Sequence, residues 1–272
     1  MQILFVGGGN MATALISGLI HQGISAEKIS VVARNAVTAT RLADTWSVRV
    51  MPAWSDEVLA SVQVIVLAVK PQQLQAVAQQ LAPSLSGQLV LSIAAGVRLD
   101  VLSGWLNAYA SVVRAMPNTP AMVGAGVTGM FAGKQVTAVQ REQAERIMQA
   151  TGSVFWVENE AQMDAVTAVS GSGPAYVFYF MEAMQQAAIE LGLPAEMAQA
   201  LTLQTFTGAA KLAASSTEAV GALRQRVTSP GGTTERALLS MQTDGVSEAI
   251  KRAISAASAR SGELGDLLAI GD

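Results

Sequence analysis

The sequence predicts an α/β N-terminal domain with a mostly parallel, doubly wound sheet, followed by an all-α C-terminal domain. An apolar run at residues 3–6 enters a Gly-x-Gly-x-x-Ala turn and then a helical pattern. Further apolar runs alternate with helical patterns as far as residue 157. From about Glu160 the strand-like runs stop. We therefore expect domains at residues 1–159 and 160–272.

The opening turn has a small residue at each place where a dinucleotide turn needs one. Gly7 permits the sharp bend, Gly9 lets backbone N–H groups approach a pyrophosphate, and Ala12 lets the helix pack close to the strand. With Asn10 and Met11 this turn presents a helix N-terminus to the phosphates. The turn therefore predicts a Rossmann-type nucleotide site, the alternative being an ordinary glycine-rich turn.

The strand expected at residues 28–33 ends at Ala33 and is followed by Arg34 and Asn35, without an acidic residue. A carboxylate at this place binds the ribose of NAD, whereas an arginine accommodates the 2′-phosphate of NADP. NADPH (NADP+ when oxidised) is therefore the expected cofactor, with NADH possible. The alternative for Arg34 is a solvated loop cation.

Later segments complete the predicted sheet. The buried run at residues 62–69 ends in Ala68, Val69, Lys70 and Pro71, at the edge where α/β sheets bind ligands. Lys70 is equally consistent with a contact to the cofactor and with an ordinary charged residue in a loop. The other expected strands are residues 48–51, 88–93, 111–115, 127–131 and 153–157, with helices at residues 71–81 and 137–150.

Composition narrows the chemistry. The chain has no cysteine and a single histidine, His21, expected as a cation at the end of the first helix. Disulfides, thiolate nucleophiles, His-based triads and His-rich metal sites are excluded, and no metal is expected. Hydride transfer fits because the cofactor carries the reaction.

The net charge and the hydropathy of the chain indicate which partners it binds and where it is located. The net charge of −3 argues against nucleic acid. The uncharged first 26 residues lack a basic start for a signal peptide, and the other uncharged stretches are poor membrane spans. We expect a cytoplasmic chain with no membrane partner. The helices expected at residues 174–191 and 194–214 are apolar, which indicates burial against a partner subunit. The aromatic cluster at residues 176–181 indicates core or a dimer interface, the alternative being a ligand cage.

A second constellation lies at residues 227–235. Pro230, Gly231 and Gly232 form a turn before a helical run, which makes an anion site for a carboxylate or a phosphate. Nearby hydroxyls can donate to one ligand atom and accept from another. A helix cap and a plain loop explain the same residues equally well.

The motifs taken together resemble the pyrroline-5-carboxylate reductase family. The segments that carry the resemblance span the chain in the family's order, at residues 7–12, 68–71, 116–120, 164–176 and 229–234. Thr233 stands where members often have alanine, a conservative departure. The resemblance implies hydride transfer from NAD(P)H to the C=N bond of 1-pyrroline-5-carboxylate, giving L-proline. It also implies a helical domain that forms a homodimer, with larger oligomers left open.

The resemblance further implies site roles. The Thr234 hydroxyl is the catalytic group and hydrogen-bonds the ring nitrogen, Ser172 and Ser229 support the pocket, and the Gly231–Thr234 backbone holds the substrate carboxylate. The implied cofactor contacts beyond the opening turn and Arg34 are Asn35, Ala68, Val69, Lys70 and Pro71 at the cofactor's edge, and Met116, Pro117 and Asn118 near the nicotinamide.

Two rival functions differ in what they require. A β-hydroxyacid dehydrogenase or an imine reductase would need a lysine or an acid on the interdomain helix, where residues 170–176 offer small and hydroxyl side chains. A non-catalytic NADP sensor would keep the nucleotide site and lose the late loop. Because that loop is intact, the reductase is favoured.

Overall fold

The computed structural model describes residues 1–270, and its first half is built on an eight-stranded sheet. The strands are β1 (Ile3–Val6), β2 (Ile29–Val32), β3 (Arg49–Met51), β4 (Val64–Leu67), β5 (Leu89–Ser92), β6 (Val112–Met116), β7 (Gly126–Ala132) and β8 (Gly152–Trp156). Their order in the sheet is β3-β2-β1-β4-β5-β6-β7-β8. The chain moves outward from β1 in one direction to β3 and then in the other to β8.

The first helices connect the strands and the later ones follow them. They are α1 (Asn10–His21), α2 (Ala36–Trp46), α3 (Asp56–Ser61), α4 (Pro71–Leu81), α5 (Leu99–Trp105), α6 (Ala138–Gln149), α7 (Gln162–Val166), α8 (Gly173–Glu190), α9 (Ala195–Ser215), α10 (Val220–Arg226), α11 (Thr233–Thr243) and α12 (Val246–Ile270). The expected mostly parallel sheet followed by helices is confirmed.

Strand direction changes once. Strands β1 to β6 pair in parallel, β7 is antiparallel to β6, and β8 is parallel to β7. Between β6 and β7 the chain has only a short 3₁₀ turn, Thr119–Val123. A parallel connection needs a crossover of a dozen or more residues, so this short link reverses the chain.

The sheet is covered on both faces. All four residues of β1 are buried, Ile3 and Phe5 on one side and Leu4 and Val6 on the other. Helices α1 and α6 pack on the first side, and α3, α4 and α5 on the second. A parallel strand buried on both faces needs an unbroken apolar sequence, as β1 and β4 have.

The chain divides into two compact units. The first comprises Met1–Ser172 together with the chain from Ala257 onward, and the second is Gly173–Ala256. Sequence patterning instead places the domain boundary after residue 159. The end of α12 belongs to the first unit because the Ser261 hydroxyl donates to Asp164 at 2.7 Å and Arg98 pairs with Asp266 at 2.7 Å.

The second unit exposes much apolar surface. Helix α8 has no buried residue, and side chains such as Phe178 and Leu191 are 64% and 86% exposed. An apolar hollow of about 450 Å³ lies between Tyr176 and Phe180 of α8 and Ile250 of α12. Within residues 1–270, no helix combines the length and the apolar character needed to cross a membrane.

Candidate functional site

A cleft of about 620 Å³ lies where the strand order reverses around β1. Its walls are the loops after β1, β2 and β4, which end at the same edge of the sheet. In open α/β sheets this reversal point is where ligands bind. The predicted residues that line it together are Gly7, Gly9, Arg34, Asn35, Ala68, Val69 and Lys70.

The glycine turn forms the floor of the cleft. Gly7 has a φ of +108°, and a side chain there would collide with the Ala68 carbonyl of the neighbouring loop. Gly9 is the N-cap of α1, and a Cβ on it would meet no heavy atom within 4 Å. Asn10, Met11 and Ala12 follow as the first turn of α1, and Ala12 is buried against the sheet.

The start of α1 offers unoccupied donors. No side chain caps this helix, and the first intrahelical acceptor, the Gly9 carbonyl, bonds the Thr13 N–H at 2.9 Å. Among residues 1–270 the N–H groups of Asn10, Met11 and Ala12 have no hydrogen-bond acceptor. Uncapped N–H groups and the helix dipole together favour a phosphate.

The charge of the cleft matches an anionic ligand. Arg34 and Lys70 line it, and no described lining residue is an aspartate or a glutamate. Arg34 lies two residues after the end of β2 and is exposed. The neighbouring Asn35 caps α2, since its Oδ1 accepts from the Thr38 N–H at 2.9 Å. Its Oδ1 is thus engaged in the fold, while Arg34 is free of ion pairs within the described chain.

Sequence reasoning missed one wall of the cleft. Trp54 follows β3, and Gln72, Gln73 and Gln80 lie on α4. No motif marks these residues. For the glutamines on α4, the available signal was their spacing after the predicted Pro71 helix start, which places them on the exposed face of that helix. Pro71 itself begins α4 beside the cleft.

Met116, Pro117 and Asn118 stand at the end of β6, outside the lining of this cleft. The Asn118 side chain is buried and makes two bonds. Its Nδ2 donates to the Ser170 carbonyl at 3.1 Å, and its Oδ1 accepts from the Val127 N–H at 2.8 Å. Met116 lies against Gly171, where a Cβ would come within 2.6 Å of the methionine Cε. These residues pack against the turn that leads to Ser172.

That turn is a π-helical segment, Thr167–Gly171, continuous with α7. The Ser172 N–H closes it by donating to the Thr167 carbonyl at 2.8 Å. π-Helical turns inside helices often occur at functional sites. The hydroxyls of Thr167 and Ser170 both bond carbonyls one turn back, whereas that of Ser172 has no partner among residues 1–270. Ser172 is therefore the hydroxyl of this segment that remains available to a ligand.

The late loop, residues 229–232, and the start of α11 lie in the second unit. Gly231 has a φ of +70°, a conformation that favours glycine. Its N–H donates to Glu235 Oε2 at 2.7 Å, and the Gly232 N–H donates to the Ser229 carbonyl at 3.0 Å. Two of the four backbone donors expected to hold a carboxylate are thus engaged inside the loop.

The remaining donors cluster at the first turn of α11. Gly232 is its N-cap, and no side chain caps the helix. Over the described range the N–H groups of Thr233 and Thr234 have no acceptor, and the hydroxyls of Ser229, Thr233 and Thr234 have no partner. By contrast, the adjacent Thr228 hydroxyl bonds the Arg224 carbonyl at 2.7 Å. The start of α11 therefore presents both N–H and O–H groups to solvent, an arrangement suited to a small carboxylate with a second polar atom.

Comparisons with known proteins agree along the whole chain. Residues 160–264 match the family model described as pyrroline-5-carboxylate reductase dimerisation. Residues 2–96 match the model described as NADP oxidoreductase coenzyme F420-dependent. The chain is 47% identical over 267 residues to a pyrroline-5-carboxylate reductase of Pseudomonas aeruginosa, covering 98% of each chain.

Solved structures give the same result. The chain is similar to a pyrroline-5-carboxylate reductase from Coxiella burnetii, with a TM-score of 0.91, 43% identity and coverage of 97% of this chain and 98% of that one. It is also similar to the Plasmodium falciparum pyrroline carboxylate reductase crystallised with NADP bound, with a TM-score of 0.85, 29% identity and the same coverage. Since identity this high extends over full-length relatives, the chain belongs to the pyrroline-5-carboxylate reductase family.

Proposed function

We propose that the chain reduces 1-pyrroline-5-carboxylate to L-proline with NADPH as the reductant. The observation that carries this proposal is the set of unoccupied N–H and O–H donors at the start of α11, which suits a small carboxylate. Membership of the family supports the proposal, since its full-length relatives are named for this activity. We also propose residues 1–159 as the NADP-binding domain and residues 160–272 as the dimerisation and substrate domain.

The cleft beside β1 fits NADPH. Because Gly9 has no side chain, a pyrophosphate can approach the uncapped start of α1. Arg34 is placed to pair with a 2′-phosphate, and Lys70 adds a second positive charge. When bound, NADPH supplies a hydride to the C=N carbon while the ring nitrogen holds a proton, so one NADPH and one proton are consumed per proline formed.

The start of α11 would hold the substrate. The N–H groups of Thr233 and Thr234 bind the carboxylate, and the Thr234 hydroxyl hydrogen-bonds the ring nitrogen, with Ser172 and Ser229 supporting the pocket. A pyrroline nitrogen is basic enough to be substantially protonated near neutral pH, so the chain needs no strong acid of its own. The main contribution to the rate is the orientation of the two reactants, which can lower the activation barrier by roughly 7–11 kcal/mol in well-oriented reactions.

Assembly is part of the proposal. The apolar helices of the second unit would be covered by a second copy of the chain, forming a homodimer. The exposed apolar side chains of α8 and α9 support this. Mass measurement in solution tests the dimer, and a monomer at working concentrations would overturn it.

The activity is tested by following NADPH oxidation with 1-pyrroline-5-carboxylate, with 1-pyrroline and with a panel of 2-oxo acids, and by following NADP+ reduction with a panel of hydroxy acids. We expect turnover of the carboxylate-bearing imine and a KM at least about tenfold higher for 1-pyrroline, which lacks the group that α11 binds. Preferred turnover of a 2-oxo or hydroxy acid would favour a β-hydroxyacid dehydrogenase. NADPH binding without turnover of any substrate would favour a sensor.

A further inference from the structure

We propose that Glu235 is a positioning residue for the substrate loop, a role that rests on the proposed function. Its carboxylate Oε2 accepts the Gly231 N–H at 2.7 Å. A hydrogen bond to an ionised acceptor is stronger than a neutral one. Glu235 thereby fixes the turn that sets where the Thr233 and Thr234 donors point.

The contact is directed at the loop rather than at the helix end. In a capping box, the acid at the third helical position accepts from the N–H of the N-cap residue. Glu235 is at that position of α11, but the N-cap Gly232 donates instead to the Ser229 carbonyl at 3.0 Å. Glu235 reaches one residue further back, to Gly231, which has a φ of +70°.

This bond restricts a segment with much conformational freedom. Pro230 lacks an N–H, and glycines lose more freedom on ordering than any other residue. Two N–H bonds, from Gly231 and from Gly232, close the turn between Ser229 and α11. Without the Glu235 acceptor only the backbone bond of Gly232 remains, so the donors for the substrate carboxylate lose their fixed geometry.

The Glu235 carboxylate also selects among the loop's donors. By holding the Gly231 N–H, it leaves the substrate carboxylate to the neighbouring Thr233 and Thr234 groups. Glutamine keeps an acceptor oxygen of the same reach and removes the charge. Glu235→Gln therefore retains the positioning bond, whereas Glu235→Ala removes it.

Steady-state kinetics of the full-length chain test the role. Glu235→Ala should raise the KM for 1-pyrroline-5-carboxylate about tenfold, while the KM for NADPH stays within about twofold. Glu235→Gln should restore the substrate KM to within about threefold of the parent value. Glu196→Ala is the matched control, since Glu196 is in the first turn of α9 and bonds no loop N–H in the described chain.

Hydrogen exchange supplies a readout independent of turnover. The Gly231 amide should exchange faster in Glu235→Ala than in the parent and the Glu235→Gln protein, with exchange in the β1 core unchanged. An unaltered substrate KM in Glu235→Ala, or an equal defect in both variants, would overturn the proposal. A parent protein inactive with 1-pyrroline-5-carboxylate would refute the proposed function, and the Gly231 exchange rate would then still report whether Glu235 holds the loop.

Discussion

The ion pair between Arg114 and Glu160 is expected to hold the helical segment after β8 onto the sheet. Arg114 Nη1 lies 2.9 Å from Glu160 Oε1, and the two side chains are 5% and 23% exposed. The same Glu160 oxygen accepts the Leu99 N–H at 2.7 Å. Glu160→Ala therefore removes the partner of a buried guanidinium and the acceptor of a backbone N–H in one step.

The expected loss follows from these two contacts. Removal of one partner of a buried ion pair costs about 3–5 kcal/mol because the remaining charge stays buried. Since Glu160 is partly exposed, water reaches the site and the lower end applies, about 3 kcal/mol. For a unit of this size that free energy lowers the midpoint of thermal unfolding by about 6–12 °C.

Urea unfolding at a fixed protein concentration, followed by tryptophan fluorescence, measures the loss. Glu263→Ala is the control, because its pair with Arg260 is 59% and 60% exposed and should contribute less than about 1 kcal/mol. If Glu160→Ala costs no more than this control, the pair has no structural role. The double variant Arg114→Met, Glu160→Met should recover part of the loss, since no buried charge is left without a partner.

Three further changes test the two ligand sites and one partly buried phenol. Thr234→Ala should lower kcat at least about tenfold in the NADPH oxidation assay, while Thr234→Ser keeps most of it, and equal rates for all three proteins would refute the role of the hydroxyl. Arg34→Asp should reverse the coenzyme preference, measured as kcat/KM with NADPH against NADH, and an unchanged ratio would contradict the 2′-phosphate contact. Burial raises the pKa of Tyr109 above its ordinary 10.0, against the opposing effects of hydrogen bonds with the Gly87 backbone and Ser111. Because the folded chain then binds the proton more tightly, this contribution to stability is present below pH 10.0 and is lost as the pH rises further, so Tyr109→Phe should show a flatter fall in unfolding free energy above pH 10.0. Parallel curves for the two proteins would rule this out.

Strands such as β1, β4 and β5 were predictable because each is a short, nearly continuous apolar run. Periodicity does not encode strand direction, so the antiparallel β7 was not foreseen. A clue was available in the segment between Met116 and Gly126, which is too short for a parallel crossover. The π-helical turn Thr167–Gly171 could not be predicted from the sequence, because its residues suit an α-helix equally well. Its Ser170 carbonyl accepts from the buried Asn118 side chain, a long-range contact that a local sequence pattern does not show.

The two candidate sites were likewise predictable in part from local sequence patterns and in part not. The loops at Gly7, Arg34 and Ala68 were assigned to one cleft because parallel strands end at one edge. Trp54 was missed because no motif marks the loop after β3. At the late loop, composition predicts an anion site, but which N–H groups are free depends on where the Glu235 side chain lies.

Two helix starts offer free backbone donors for anions in a chain with one histidine and no cysteine. Helices α2, α3 and α6 are closed by their own N-cap side chains, Asn35, Ser55 and Thr137. Helices α1 and α11 follow glycine N-caps that carry no side chain to occupy the first N–H groups. A glycine at the N-cap costs only a few tenths of a kcal/mol relative to a capping side chain and leaves those donors for a ligand. Under the proposed function, the glycine N-caps leave these donors free for a pyrophosphate at α1 and for a carboxylate at α11.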